Sequence, residues 1–329
     1  MLNFKNMFRR NSIANTPLGR NIVLVAIFLI AFPVMSPAVW IWTPETGKFI
    51  NPKWAVKPTP ADQLEYAQSF RDQGNCKKAM AEFKKLIKAY PRAKEAPEAE
   101  FYTGQCLEES HRPYEAYQAY QLVIDKYPFS ERAAQIVGLE YTIANHLLEN
   151  KDRSKWAEVV VGSDDRVIEI FRTIIKDAPY GKFAAISQYK IGLYLKEKGE
   201  YQEARDEFEK TMNDYPDSEW AQAAKFQIAM ADTNRASDAQ HEQKVTGVAM
   251  EEFNEFVKSH PDSQLAPEAQ AQMARLKAKE AENNFVIAKF YEKQKNLKAA
   301  RIYYKEVANN YADTTWGPKA SAHLKSIGE

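Results

Sequence analysis

Few side chains in this 329-residue chain could do covalent or acid–base chemistry. His111, His146, His241, His260 and His323 are scattered, with no His-Glu-x-x-His spacing that would set two imidazoles on one helix face for zinc. Cys76 and Cys106 offer two thiols. Without a histidine cluster beside them they predict no metal centre. Their spacing leaves two readings open, a disulfide and two ordinary buried side chains. The acid pairs Asp164/Asp165 and Glu251/Glu252 fall in amphipathic helices or loops and read as surface charge. Neither a Gly-rich phosphate loop nor a nucleophile elbow is present. The sequence therefore predicts no enzyme, no cofactor and no metal.

The chemistry that remains is non-covalent capture. Gln68, Arg71, Gln105, Glu108, Thr142, Asn145 and Lys196 are polar, and Phe101 and Tyr189 stand among them. Such a mixture suits an extended peptide, whose backbone needs hydrogen bonds and whose side chains need apolar seats. These nine residues form a candidate partner-binding groove only if a regular scaffold brings them to one face.

That scaffold is an internal repeat. A small residue is followed four positions on by an aromatic and eight further on by Pro. The registers are Ala79/Phe83/Pro91, Ala116/Tyr120/Pro128, Val167/Phe171/Pro179, Ala204/Phe208/Pro216, Ala249/Phe253/Pro261 and Ala300/Tyr304/Ala312. Two positions break type, Val167 for the small residue and Ala312 for Pro; where Pro stands it ends the helix, because its ring cannot continue the hydrogen-bond ladder. A hydroxyl residue then stands ready to cap the next: Ser130, Ser218, Ser263 and Thr314. Thirteen residues past the Pro a small residue returns at Gly104, Gly192, Ala229 and Ala274, with Tyr141 as the exception; Ala67 and Ala288 hold the matching place. A small residue there lets the first helix of a pair approach the second, and the large aromatic fills the gap beside it. Each pair cannot bury its apolar face alone, so stacking follows. The groove residues are then inward positions of successive first helices, counted from the small residue.

The landmarks are spaced 37, 51, 37, 45 and 51 residues apart. The first two excesses fall near residues 151–165 and 233–246, both polar, and predict long loops. The third falls in residues 265–296, almost free of Gly and Pro, and predicts one long helix serving two layers. The expected fold is all-α: a solenoid of about six helix pairs, with a short capping helix after Trp316.

Residues 1–38 carry Lys5, Arg9, Arg10 and Arg20, no acid, and an apolar run over 22–34. They read as an export signal or, if uncleaved, a membrane anchor. Both put the remainder outside the cytoplasm. Residues 39–60 hold Trp40, Trp42 and Trp54 among four prolines and predict an extended arm, packing on the first repeat or docking a partner or membrane interface. Residues 61–329 are the solenoid. Without the first 38 residues, 41 basic residues face 44 acidic ones, a formal −3, which offers no footprint for nucleic acid.

The Ala-x3-Phe-x7-Pro spacing resembles the tetratricopeptide repeat. The period near 37 and the Tyr-Pro-Asp-Ser at 215–218 resemble the outer-membrane assembly factor BamD (YfiO-like) family and its exported relatives. That resemblance implies a tetratricopeptide-repeat superhelix on the periplasmic side of the outer membrane, working in the machinery that folds β-barrel proteins. It implies protein partners: N-terminal repeats that hold unfolded barrel-protein segments and C-terminal repeats that dock other assembly subunits. The chain lacks the family's lipidated cysteine, so membrane association would run through partners or an uncleaved N-terminal segment. A periplasmic coordinator of envelope constriction, inner-membrane anchoring facing the periplasm, and a generic exported scaffold are the alternatives.

Overall fold

A computed structural model describes residues 41–43, 48–51, 55–149, 163–238 and 242–328. The chain divides into two compact units, residues 1–63 and 64–329. In the first, β1 (Ile41–Thr43) pairs antiparallel with β2 (Lys48–Ile50), and Trp42 stands opposite Phe49. Both of these rings are exposed, at 52% and 66%. Beyond these strands the Ala55 amide donates to Asn51 O at 3.0 Å. Trp40, Trp54 and the apolar run at 22–34 lie outside the described residues. Among the described residues no helix is long and apolar enough to cross a membrane.

Among the described residues thirteen helices follow: α1 (Pro60–Asp72), α2 (Cys76–Ala89), α3 (Glu95–Glu109), α4 (Pro113–Lys126), α5 (Ala133–Glu149), α6 (Ser163–Asp177), α7 (Ala184–Glu197), α8 (Tyr201–Asp214), α9 (Glu219–Asp238), α10 (Glu242–Ser259), α11 (Ala266–Lys293), α12 (Leu297–Asn310) and α13 (Trp316–Ser326). α1 meets α2 in a cluster that holds Ala67, Ala79 and Phe83, and from α2 onward each packs on its neighbour in sequence, giving six pairs and a cap, the α-solenoid that the repeat predicts.

Two turn types alternate, each fixed by local chemistry. Within a pair, the first helix ends in a left-handed residue, at Gly74, His111, Gly199 or Lys295. Beyond it an amide reaches back over the last turn: Asn75 to Phe70 O, Arg112 to Leu107 O, Glu200 to Leu195 O, Asn296 to Tyr291 O. Between pairs, the amide of Ala93, Ser130, Gly181, Ser218, Ser263 or Thr314 donates to the carbonyl three residues earlier. Ser218 Oγ accepts from the Ala221 amide at 3.2 Å, the cap expected of it; Ser130, Ser263 and Thr314 accept from amides two residues on.

The interior confirms why small residues alternate with rings. A Cβ on Gly104 would lie 2.4 Å from the Tyr120 ring, and one on Gly192 would lie 2.5 Å from the Phe208 ring. Phe83, Phe171 and Phe208 are completely buried. One contiguous apolar cluster runs from Phe101 on α3 to Ile228 on α9. Tyr141, which breaks the small-residue rule, stacks on Phe183 with ring centroids 4.6 Å apart.

The long helix is present as expected: α11 runs unbroken for 28 residues. Its first half contributes Ala269 and Leu276 to a cluster with Phe253 and Phe256. Its second half contributes Ala281, Phe285 and Ala288 to a cluster with Tyr304 and Val307. Two expectations need correction. Ala274 is exposed, because α11 continues where a second helix would have brought a facing ring. The predicted loop at 233–246 is helical except at 239–241, which lie outside the described residues. Thr233 Oγ1 bonds back to Ala229 O at 2.8 Å and Arg235 pairs with Asp232 one turn away, so its polar residues remain compatible with a helix. The loop expected at 151–165 falls mainly outside the described residues.

Candidate functional site

The predicted groove residues lie on first helices α1, α3, α5 and α7, and the structure separates them into three groups. The first joins layers. Arg71 Nη1 donates to Gln105 Oε1 at 3.1 Å, from α1 to α3, while its guanidinium lies 4.4 Å from the Tyr102 ring centroid. Lys196 donates to Gln227 Oε1, from α7 to α9, and burial pulls its ammonium below the usual lysine range. The second group turns back onto its own helix: Thr142 Oγ1 to Gly138 O at 3.0 Å and Asn145 Nδ2 to Tyr141 O at 2.7 Å. Gln68 is half-buried on α1.

The third group is in the core. Phe101 is 1% exposed, against Tyr120 and beneath the Arg132 guanidinium at 4.5 Å. Tyr189 is 8% exposed, between Phe208 and Trp220. These two rings lock adjacent layers together and present no apolar seat to a ligand. Counting positions on one ideal helix places them inward; the incoming Arg132 and Trp220 of the next layer cover them.

Glu108 has a committed role as well. It accepts the buried Tyr120 hydroxyl, and burial, then that bond, holds the phenol above its ordinary range. At the equivalent place in the last pair Glu292 accepts Tyr304 Oη at 2.6 Å. In the other four pairs the aromatic is Phe, and the position four beyond the small residue is Arg71, Asn145, Lys196 or Thr233. A carboxylate thus stands four residues beyond the small residue only where a hydroxyl needs an acceptor.

A second surface escaped the sequence reading. Val286 and Phe290, four residues apart on α11, are 56% and 57% exposed. They form a stripe beside the buried Ala281, Phe285 and Ala288. The signal in the sequence is a pair of apolar residues four apart, off the stripe of Ala281, Phe285 and Ala288. Ile302 on α12 and Leu297 are further exposed apolar residues of this pair.

The ionisable groups elsewhere serve packing. Arg205 on α8 bonds Asp232 of α9 and, at 2.7 Å, Glu252 of α10, so one guanidinium ties three helices; burial raises the Glu252 carboxyl. Glu140 on α5 is fully buried, neither oxygen has a hydrogen-bond partner among the described residues, and burial raises its pKa to about 8. His111 forms a left-handed turn, His260 stacks on Phe256, and His323 stacks on Tyr304. His241 lies outside the described residues.

The family profile described as YfiO, outer membrane lipoprotein, matches residues 227–327. Tetratricopeptide-repeat profiles match residues 64–131 and 187–218. No curated protein matches the chain. A tetratricopeptide-repeat protein from Parabacteroides merdae is similar at 14% identity over 75% of this chain and 91% of that one, with a TM-score of 0.35. The C-terminal part of a repeat protein from Cytophaga hutchinsonii gives 16%, 80%, 87% and 0.36 for the same quantities. A thermophilic one from Thermus thermophilus gives 11%, 66%, 98% and 0.32.

Proposed function

We propose that this tetratricopeptide-repeat protein, which resembles the YfiO outer membrane lipoprotein family, is a non-enzymatic scaffold in the assembly of outer-membrane β-barrel proteins. The carrying observation is that the exposed stripe of Val286 and Phe290 lies inside the segment similar to YfiO. An apolar stripe on a rigid helix is suited to anchoring a protein partner. The polar face of α1, α3, α5 and α7 supplies a second surface. With Phe101 and Tyr189 in the core, the face is polar, through Gln68, Arg71, Gln105 and Thr142, and capture there would exchange bonds such as Arg71 to Gln105 for contacts to a peptide backbone. On this reading the protein works in the periplasm beside the outer membrane.

The test is co-purification from envelope extracts, comparing the wild-type chain with a Val286→Glu, Phe290→Glu double variant. Recovery of a polypeptide-transport-domain barrel by the wild type, and its loss in the double variant at unchanged helix content, is the expected result. Recovery of cell-wall synthases in its place would reassign the protein to envelope constriction. Charge reversal at Arg71 should weaken capture of an unfolded barrel-protein segment without disturbing the stripe's partner.

A further inference from the structure

Cys76 is the first residue of α2, and Cys106 lies in the last turn of α3. The two therefore belong to successive layers, on either side of the first junction between pairs. Both are free thiols, Cys106 with no exposure and Cys76 with 9%. Their sulfurs and a Glu109 carboxylate oxygen lie within 4.8 Å of one another, and Cys76 Sγ donates to Glu109 Oε2 at 3.0 Å. Glu109 is exposed, so the pair sits one residue below solvent, at the end of the stack where α1 turns into α2.

We propose that Cys76 and Cys106 close into a disulfide by exchange with an external disulfide, stapling the first layer to the second. The geometry suits this. Two side chains on different helices already meet, their sulfurs no more than 4.8 Å apart, so closure asks the two thiols only to draw together to bonding distance. Cys76, at the rim, reacts first. Its proton passes to the Glu109 carboxylate and its sulfur attacks one sulfur of the oxidant, expelling a thiolate that takes up that proton. Cys106 then attacks the Cys76 sulfur of the mixed disulfide, forms the Cys76–Cys106 bond and releases the second thiol. Two thiols of the chain lose two electrons and two protons, and the oxidant gains both.

Burial, foremost, pushes both thiols above their ordinary range, and the neighbouring Glu109 adds to this. The pair accordingly stays as neutral thiols until an oxidant arrives, and exchange is slow rather than spontaneous. Closure would remove the two titratable groups that burial disfavours as anions. It would also restrict the unfolded chain between the two sites, which is the model-dependent origin of disulfide stabilisation. The staple falls beside the Arg71–Gln105 bond, so it would fix the first rung of the polar face.

The full chain, purified with reductant and then freed of it, would be incubated with oxidised glutathione. The expected outcome is a chain lighter by two hydrogens, a Cys76–Cys106 cross-linked peptide on non-reducing digestion, and no retained glutathione. The apparent Tm should rise by on the order of 5 °C, reversibly with reductant. Amide exchange should slow across α2 and α3, with neither change in Cys76→Ser. Lasting glutathione adducts, disulfide-linked dimers, or two thiols that stay reactive to a thiol reagent would each overturn the proposal. So would stoichiometric Zn²⁺ binding by the reduced chain that is lost in Cys106→Ser and Glu109→Gln and blocks oxidation, which would make the three residues a metal site.

Discussion

In the middle of the solenoid Phe208 is enclosed by Gly192 and by the Tyr189 ring, within an apolar cluster that continues from α3 to α9. At the C-terminal end Tyr304 holds the same place in its repeat. Its companions are Phe285, the imidazole of His323 and the carboxylate of Glu292, in a cluster confined to α11, α12 and α13. The central layers share one interior, so each ring supports both neighbours. The last pair has its own small interior, finished by polar groups and joined to the preceding layer through the backbone of α11. A repeat protein can thus be continuous by side-chain packing in one region and by a single helix in another.

The most severe way to break this contrast is truncation of the equivalent rings. Phe208→Ala should cost about 3–5 kcal/mol and loosen layers on both sides, visible as faster amide exchange in α7, α8 and α9. Tyr304→Ala should confine its damage to α11–α13. If both variants loosen the whole chain equally, the two regions are one cooperative unit.

Lys279→Pro at the middle of α11 should cost about 3 kcal/mol. Its signature is loss of coupling: in urea unfolding followed by site-specific probes, the last pair should melt before the rest. The same substitution would have no such partitioned effect if side-chain packing joined the layers there.

Glu140→Gln sharpens the comparison within the central cluster. The folded-state pKa of Glu140 is raised from 4.5 to about 8. Folding therefore takes up a proton between those limits, and the group's contribution to stability falls as pH rises through that window, to its lowest above pH 8. The variant should be more stable than wild type by on the order of 5 kcal/mol at the alkaline end of that window. The advantage should vanish towards its acidic end, as measured by urea midpoints across the range.

The smallest effect separates two chemically identical bonds. Tyr120→Phe strands the Glu108 carboxylate and should cost about 1 kcal/mol. Tyr304→Phe should cost less, because His323 Nδ1 already lies 3.3 Å from Glu292. Equal losses in thermal melts would show that the histidine contributes nothing.

Much of this architecture was readable from residue types alone. Period, helix ends and the buried rings follow from short-range rules: Pro stops a helix, and glycine admits a ring. The long α11 was visible because nothing in its sequence interrupts it. What could not be read depended on contacts between layers. Phe101 and Tyr189 count as inward-facing on one helix, but Arg132 and Trp220 of the following layer bury them. Ala274 fits the small-residue rule by spacing, yet faces solvent for want of an opposing ring. The acidic partner of each core tyrosine was present in the sequence as Glu108 and Glu292, but its meaning emerged only with the hydroxyls in place. The meeting of Cys76 with Cys106 likewise depends on the first interlayer packing angle, which spacing does not specify.

The 28 residues of α11 make a rod about 42 Å long. A loop between two layers absorbs a displacement; a rod with no break hands it on. A partner that tilted the end bearing Val286 and Phe290 would tilt with it the other end, seated on Phe253 and Phe256. Strain applied at one terminus of the stack is therefore delivered as torque to the layers before it, with no slack in between.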